Sequence, residues 1–372
     1  MDTLKIGAGL LLLLLILSDT FETIVLPRTV TRRLRLTRLY YMSLWGVYGL
    51  ITRSSREKGE DSRFANAFGP LSLLLLILIW ACGLIFGFAL IQWGLGSPIY
   101  SDHLRRSFFT DLYLSGTTFF TLGLGDVTPA STAMRVLAVL ESGVGFGFLA
   151  IVIGYLPIIY QSFSRREAGI TLLDSRAGSP PTAGEMIRRH AAGGNMDALT
   201  PLLTTMEAWA SDFLESHLSY PVLVFYRSQH DRESWLDTLT VMLDVCALIL
   251  VGFEDKPDWQ RGLRWQAKQT YAMCRHAAVD ITLVLHLPLP DWKDARLSDE
   301  RLATLRERLT AVGLHPSSGV AADARLRELR QQYEPYLYAL SYRLHQTLPP
   351  WIGEGEPADN WRTGLGDQDS HL

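Results

Sequence analysis

Hydrophobic positions fall into long unbroken runs in the first half of the chain and into helix-spaced stripes in the second. Residues 6–26 are apolar except for Ser18, Asp19, Thr20, Glu22 and Thr23. At about 1.5 Å per residue such a run crosses a hydrocarbon core of about 30 Å. Lys5 is the only basic residue before its apolar stretch and no small-x-small cleavage site precedes Pro27, so it reads as a span kept in the chain rather than a signal peptide. Residues 70–93 carry no charge and end in Trp93, an aromatic suited to the membrane interface. Residues 131–163 are charged only at Arg135 and Glu141. As one helix they would reach about 50 Å, so the end of this third span is expected to project beyond the bilayer. Residues 39–51 are apolar and aromatic but too short to span.

Charge sets the orientation. Arg28, Arg32, Arg33, Arg35 and Arg38 follow the first run, and Arg165 and Arg166 close the third, so both ends mark the cytoplasmic side. If residues 39–51 crossed as well, the third span would end outside, against those arginines. They are therefore expected to lie at the interface, with Tyr40, Tyr41, Trp45 and Tyr48 at headgroup level and the five arginines on anionic lipid. Packing against the cytoplasmic domain is the alternative. The expected arrangement is an external N-terminus, three spans and a cytoplasmic C-terminal domain, in the inner (plasma) membrane.

Residues 1–69 hold 10 Lys+Arg and 6 Asp+Glu, residues 70–162 hold 3 and 4, and residues 163–372 hold 22 and 28. With a net charge of −3 the chain lacks the basic excess that binding a phosphate backbone requires, and nucleic acid is not expected as a partner. The three cysteines form neither a disulfide framework nor a Cys-x-x-Cys metal site.

Between the second and third spans, residues 108–124 are rich in apolar and hydroxyl side chains and nearly free of charge, unlike an ordinary external loop. Their centre reads Thr117-Thr118-Phe119-Phe120-Thr121-Leu122-Gly123-Leu124-Gly125-Asp126. This resembles the pore-loop potassium channel family, whose signature is Thr-x-x-Thr-x-Gly-aromatic-Gly-Asp between two membrane helices. Thr118, Thr121, Gly123, Gly125 and Asp126 occupy those positions, while Leu122 replaces the usual Val or Ile and Leu124 the usual Tyr or Phe. Non-helical backbone is tolerated at membrane depth only where it lines a cavity or is buried in protein. Glycines alternating with other residues let successive carbonyls point one way, because Gly accepts positive φ.

The resemblance implies a homotetramer in which K+ is held by the carbonyls of Thr121, Leu122, Gly123 and Leu124 and by the Thr121 hydroxyl, with no cofactor beyond the permeant ion. Gly125 and Asp126 complete the filter, with Asp126 at its outer mouth. Residues 107–119 form the pore helix, aiming its negative C-terminal end at the central cavity. Thr118, Phe119 and Phe120 support the filter, Leu124 resting against the two phenylalanines as a softer cuff than the family's aromatic. Conduction of cations is thus a firmer expectation than selectivity for K+.

The third span carries Gly143, Gly145, Gly147, Gly154 and Pro157, each unfavourable in a helix. By resemblance Gly143 or Gly147 and Pro157 are hinge candidates, and close helix packing is the other use of small residues. Asp19 and Glu22 share one face near the cytoplasmic end of the first span, either paired with Arg28 or Arg32 or sensing protons or cations. Glu141, a further candidate sensing residue, either faces the filter's rear or the cavity and attracts cations, or packs behind the pore helix.

Downstream, Thr182 with Glu185 forms a capping box, Thr200-Pro201 an N-cap with N1 proline, and Ser298 caps a helix over residues 299–312. Helices over 234–251, 257–285 and 323–348 bring the expected count to six. Residues 235–253 are apolar enough to span, but Asp237 and Asp244 lie within them, and a buried core helix is expected. No nucleotide-binding glycine motif, strong metal-ligand spacing or local catalytic constellation is readable, so an enzyme is not expected. The chain thus reads as an all-α membrane protein: an N-terminal span (1–27), a basic linker (28–69), a two-span pore module (70–164), a helical cytoplasmic domain whose ligand is unspecified (165–348) and a disordered tail (349–372). The function expected is a K+-selective channel gated by the inner helix. A weakly selective cation channel and a non-conducting membrane receptor or scaffold are the alternatives.

Overall fold

The computed structural model describes residues 2–26, 36–37, 39–41, 43–44, 46, 63–97, 99–100, 106–228, 233–254, 259–292 and 296–353. Arg28, Arg32, Arg33, Arg35, Arg38, Trp45, Tyr48 and residues 354–372 lie outside these, so the lipid contacts expected at the five arginines do too. Among the described residues the chain is helical apart from two paired residues on each side of one loop and an isolated bridge between Phe253 and Pro316, and it divides into two compact units, Met1–Gln161 and Ser162–Leu372.

In the first unit α1 (Thr3–Ile24) packs along α2 (Arg63–Gly94), both long and apolar enough to cross a membrane. Small residues let them meet closely: a Cβ on Gly9 would stand 2.6 Å from the Gly87 carbonyl oxygen. Around this seam Leu13, Ile16, Leu76, Trp80, Leu84 and Phe88 are buried together. The second helix starts before Pro70, not at it as expected. Hydroxyls accompany the proline there, Ser72 donating to the Gly69 carbonyl at 2.7 Å and Tyr40 to the Ser72 carbonyl at 2.6 Å. Tyr40 and Tyr41 pack against the core of this unit rather than in the C-terminal domain.

After α2, β1 (Ile99–Tyr100) pairs antiparallel with β2 (Thr128–Pro129), joining the two ends of a re-entrant loop that contains α3 (Phe108–Phe119). The third long helix, α4 (Thr132–Ala177), is continuous for 46 residues. It runs past residue 163, where the third span was expected to end, because its last turns pack inside the second unit. There the buried Arg166 guanidinium donates to the carbonyls of Leu223 (3.0 Å) and Tyr226 (2.9 Å), and Gly169 leaves just enough room for the Trp209 indole.

The second unit surrounds α7 (Trp235–Val251), on which every residue from Trp235 to Ile249 except Asp237 is buried. Around it stand α5 (Ala183–Ala192), α6 (Leu199–Ser219), α8 (Gln260–Val284), α9 (Asp299–Thr310), α10 (Val320–Gln331) and α11 (Glu334–Leu344). The hydroxyls of Thr182, Ser234 and Ser298 cap α5, α7 and α9 by accepting from the amides of Glu185, Asp237 and Arg301. Two boundaries differ from expectation. Helix α6 begins at Leu199 without a side-chain cap, because a 3-10 turn over Met196–Ala198 leads straight into it. The helix expected over 323–348 is two helices, raising the count to seven among the described residues. Tyr333 leaves the helix at the break, its buried hydroxyl donating to Asp244 at 2.6 Å, and Pro335 opens α11.

Asp244 belongs to a buried ionic cluster. Arg296 bridges Asp244 (2.5 Å) and Glu334 (3.0 Å), and Arg330 reaches Glu334 at 3.1 Å. Residues 349–353 close over it and are not a loose tail: Pro349 accepts from Arg296, Trp351 is fully buried beside Arg296 and Arg330, and its carbonyl accepts from the Gly184 amide at 2.9 Å. Composition alone had marked this stretch as disordered; the arginines that hold it are distant in sequence.

At the end of α4, Asp174 shares the Ser179 hydroxyl with Glu233, which precedes α7. Burial, and then the Asp174 carboxyl beside it, push Glu233 up from 4.5 to about 8. Between those values the folded chain holds a proton that the unfolded chain releases, so stability falls as pH rises through that window. Thermal unfolding of the full chain in detergent is expected to show this decline from pH 5 to pH 8, and Glu233→Gln to flatten it; an equal slope in the variant would contradict the assignment.

Candidate functional site: the re-entrant loop and filter

The loop enters through a capped helix. The Ser107 hydroxyl accepts from the Thr110 amide at 3.3 Å, and Ser97, just after α2, donates to the buried Asp111 carboxylate at 2.5 Å. At its other end α3 presses on α4: a Cβ on Gly145 would collide with the Phe119 carbonyl oxygen. The Phe119 ring is fully buried, 5.8 Å from Phe148.

Beyond Phe119 the backbone turns back on itself. The Thr121 amide donates to the Thr118 carbonyl at 3.0 Å and the Leu122 amide to the Thr117 carbonyl at 2.7 Å. Then φ is +56° at Thr121, +58° at Gly123 and +82° at Gly125, and not positive at Leu122 and Leu124 between them. Alternating handedness of this kind turns successive peptide planes so that their carbonyls can line one side. Residues 121–126 are all exposed on the single chain, Leu122 at 62% and Leu124 at 63%. Asp126 accepts from the Tyr113 hydroxyl at 2.8 Å, which ties the far end of the turn to the pore helix.

The support residues separate. Thr118 contributes its carbonyl, Phe120 is 43% exposed, and Phe119 is buried in the helical core. Phe119 stacks edge-on against Phe120 at 5.3 Å and packs on Phe148 and the α1–α2 core.

On α4, Glu141 lies behind the pore helix and is fully buried. One carboxyl oxygen meets the Ser115 hydroxyl and the other accepts from the Gln92 amide at 2.9 Å. Gly145 is the glycine that packs, whereas Cβ atoms at Gly143 and Gly147 would have nothing within 4 Å in the chain. Pro157 lies inside the unbroken helix. Asp19 is buried in α1 and accepts from the Trp80 indole at 2.9 Å and from the Thr37 hydroxyl at 2.6 Å. Its described partners are neutral donors, and Arg28 and Arg32, with which it was expected to pair, lie outside the described residues. Glu22, one turn on, is partly exposed.

Residues 74–162 match the family described as Ion channel. This segment is a pore-loop ion channel domain. It runs from α2 through the turn at residues 120–126 into α4, ending at residue 162 where the second unit begins. The chain is also similar to the uncharacterized membrane protein YdjJ of Bacillus subtilis (strain 168), 20% identical over 200 residues, which cover 53% of this chain and 58% of that protein. The chain thus spans under two thirds of the length of this curated relative. No solved structure matches it.

Sequence reading missed Tyr113, Ser115, Gln92 and Trp80 in the ion channel domain. Gln92 carried a signal as a lone amide in an apolar run; Tyr113 and Trp80 carried none, since aromatics are common there. Removing the Tyr113 hydroxyl costs about 1 kcal/mol of local order, roughly a fivefold change. Tyr113→Phe is expected to speed amide hydrogen exchange across residues 121–126 by about that factor. Unchanged exchange by mass spectrometry would show that this bond does not hold the turn.

Proposed function

We propose that four copies of the chain assemble around an axis and conduct K+ through a filter formed by the backbone carbonyls of Thr121, Leu122, Gly123 and Leu124. The observation that carries this reading is the alternation of positive φ at Thr121, Gly123 and Gly125 in a non-helical turn flanked by two membrane-length helices. Exposed carbonyls at membrane depth need either water or an ion, and four loops facing one another would offer ions a ladder of oxygens in place of their hydration shells. Ions then move by mutual repulsion between adjacent sites. The C-terminal end of α3, directed at the cavity, favours a cation there without any side-chain charge. The task is transport rather than catalysis, and K+ is the permeant ion, not a cofactor.

Gating is assigned to α4. Gly143 and Gly147, unencumbered within the chain, provide freedom to bend, and Pro157 lacks the amide that would bond back to the Ile153 carbonyl in the preceding turn. The second unit, into which the last turns of α4 are built, would load that helix from the cytoplasm. The protein is placed in the plasma membrane with the basic linker on anionic lipid.

A weakly selective cation channel is the second reading. Leu124 favours it, being largely exposed and standing where an aromatic would brace the filter.

Gly123→Ala tests the channel reading against an assembly-only role. Left-handed backbone costs an L-residue about 1–2 kcal/mol, enough to displace the carbonyls. Cation flux from proteoliposomes is expected to fall by an order of magnitude or more while the oligomer, followed by native mass spectrometry, persists. Undiminished flux would contradict the carbonyl filter.

A further inference from the structure

Ser115 sits where three helices of the first unit meet, and its hydrogen bonds do not balance. From α3 its hydroxyl lies 2.8 Å from the Ile85 carbonyl of α2 and also against one carboxyl oxygen of Glu141 on α4. A serine hydroxyl has one proton and cannot donate to both. The other oxygen of Glu141 accepts from Gln92 of α2, again a neutral group. No cation is among these partners, and the carboxyl is fully buried at membrane depth, where an ionised carboxylate is expensive.

We infer that Glu141 is a neutral carboxylic acid closing a relay in which its own O–H donates to Ser115 and Ser115 donates to the Ile85 carbonyl. Glu141, Ser115 and the Ile85 carbonyl are then satisfied: the acid proton fills the Ser115 oxygen, the serine proton fills the second lone pair of Ile85, and the remaining acid oxygen takes the Gln92 amide. Were Glu141 ionised, Ser115 would have to turn its proton to the carboxylate and leave the Ile85 contact without a donor. The relay joins the inner helix α4 to the pore helix α3 one turn before Phe119, and both to α2. Glu141 is thereby a positioning residue: it fixes the sideways placement of α3, from whose end the filter turn hangs. This role rests on the channel reading above, whereas the relay itself does not.

Infrared spectroscopy of the full-length protein in lipid tests the proton, and permeability tests the role. The spectrum of wild type minus Glu141→Gln is expected to show a protonated-carboxyl C=O band that exchanges slowly in deuterated buffer and survives in Asp19→Asn. Glutamine can donate to Ser115 and accept from Gln92 as the neutral acid does, so Glu141→Gln is expected to hold the K+ to Na+ permeability ratio within about twofold of wild type. Ser115→Ala, which removes the middle of the relay, is expected to shift it by about fivefold or more. Absence of the band, or a shift in Glu141→Gln as large as in Ser115→Ala, would overturn the inference. If wild type passes no cation, the channel reading fails and the infrared band alone decides the relay.

Discussion

Backbone amides and carbonyls inside a bilayer have no water to bond, so a chain that leaves the helix at membrane depth must be held by its own protein or line a cavity. In the proposed channel residues 120–126 leave the helix in this way, and contacts within the first unit hold them. The turn is tied to the pore helix at its near end through the carbonyls of Thr117 and Thr118 and at its far end through Tyr113 and Asp126. The strand pair at Ile99–Tyr100 and Thr128–Pro129 draws the loop's two ends together.

The pore helix in turn is seated by polar bonds in apolar surroundings. Ser97 holds Asp111 in its first turn, and Ser115 meets Ile85 and Glu141 near its last. Apolar contact alone specifies little between helices in lipid, because the tails are as apolar as leucine; small residues and hydrogen bonds supply the specificity. Gly9 and Gly145 bring backbones together, and Asp19, through Trp80 and Thr37, fastens the short segment after α1 onto the α1–α2 pair. The second unit follows a different economy. Its core is the apolar burial around α7, and its ionic cluster of Asp244, Arg296, Arg330 and Glu334 acts through specificity of arrangement, since buried ion pairs add little net stability.

Much of this was legible because the membrane imposes strong patterns. Unbroken apolar runs located α1, α2 and α4, and the glycine spacing located the turn of alternating φ over residues 121–125. Caps at Thr182 and Ser298 were readable because a hydroxyl directly before a helical run is a local signal, strengthened at Thr182 by Glu185 three residues on. What escaped depended on partners far apart in sequence. Nothing near Glu141 indicates that Ser115 and Gln92 will meet it, and nothing in the composition of residues 349–353 indicates that Arg296 will hold them. The continuation of α4 to Ala177 was hidden because its character changes from lipid-compatible to protein-packed without a helix breaker. Phe119 was assigned to the filter by its position in the motif, but helix geometry turns its ring toward Phe148.

The central claim, that the turn from Thr121 to Asp126 is a selective cation filter, is tested most directly by the reversal potential of the purified protein in a planar bilayer with KCl on one side and NaCl on the other. A value near the K+ equilibrium potential is the predicted result: the alternating backbone then selects despite Leu122 and Leu124. A value near zero would contradict selectivity and leave a non-selective cation pore, and a value on the chloride side would contradict the carbonyl filter itself.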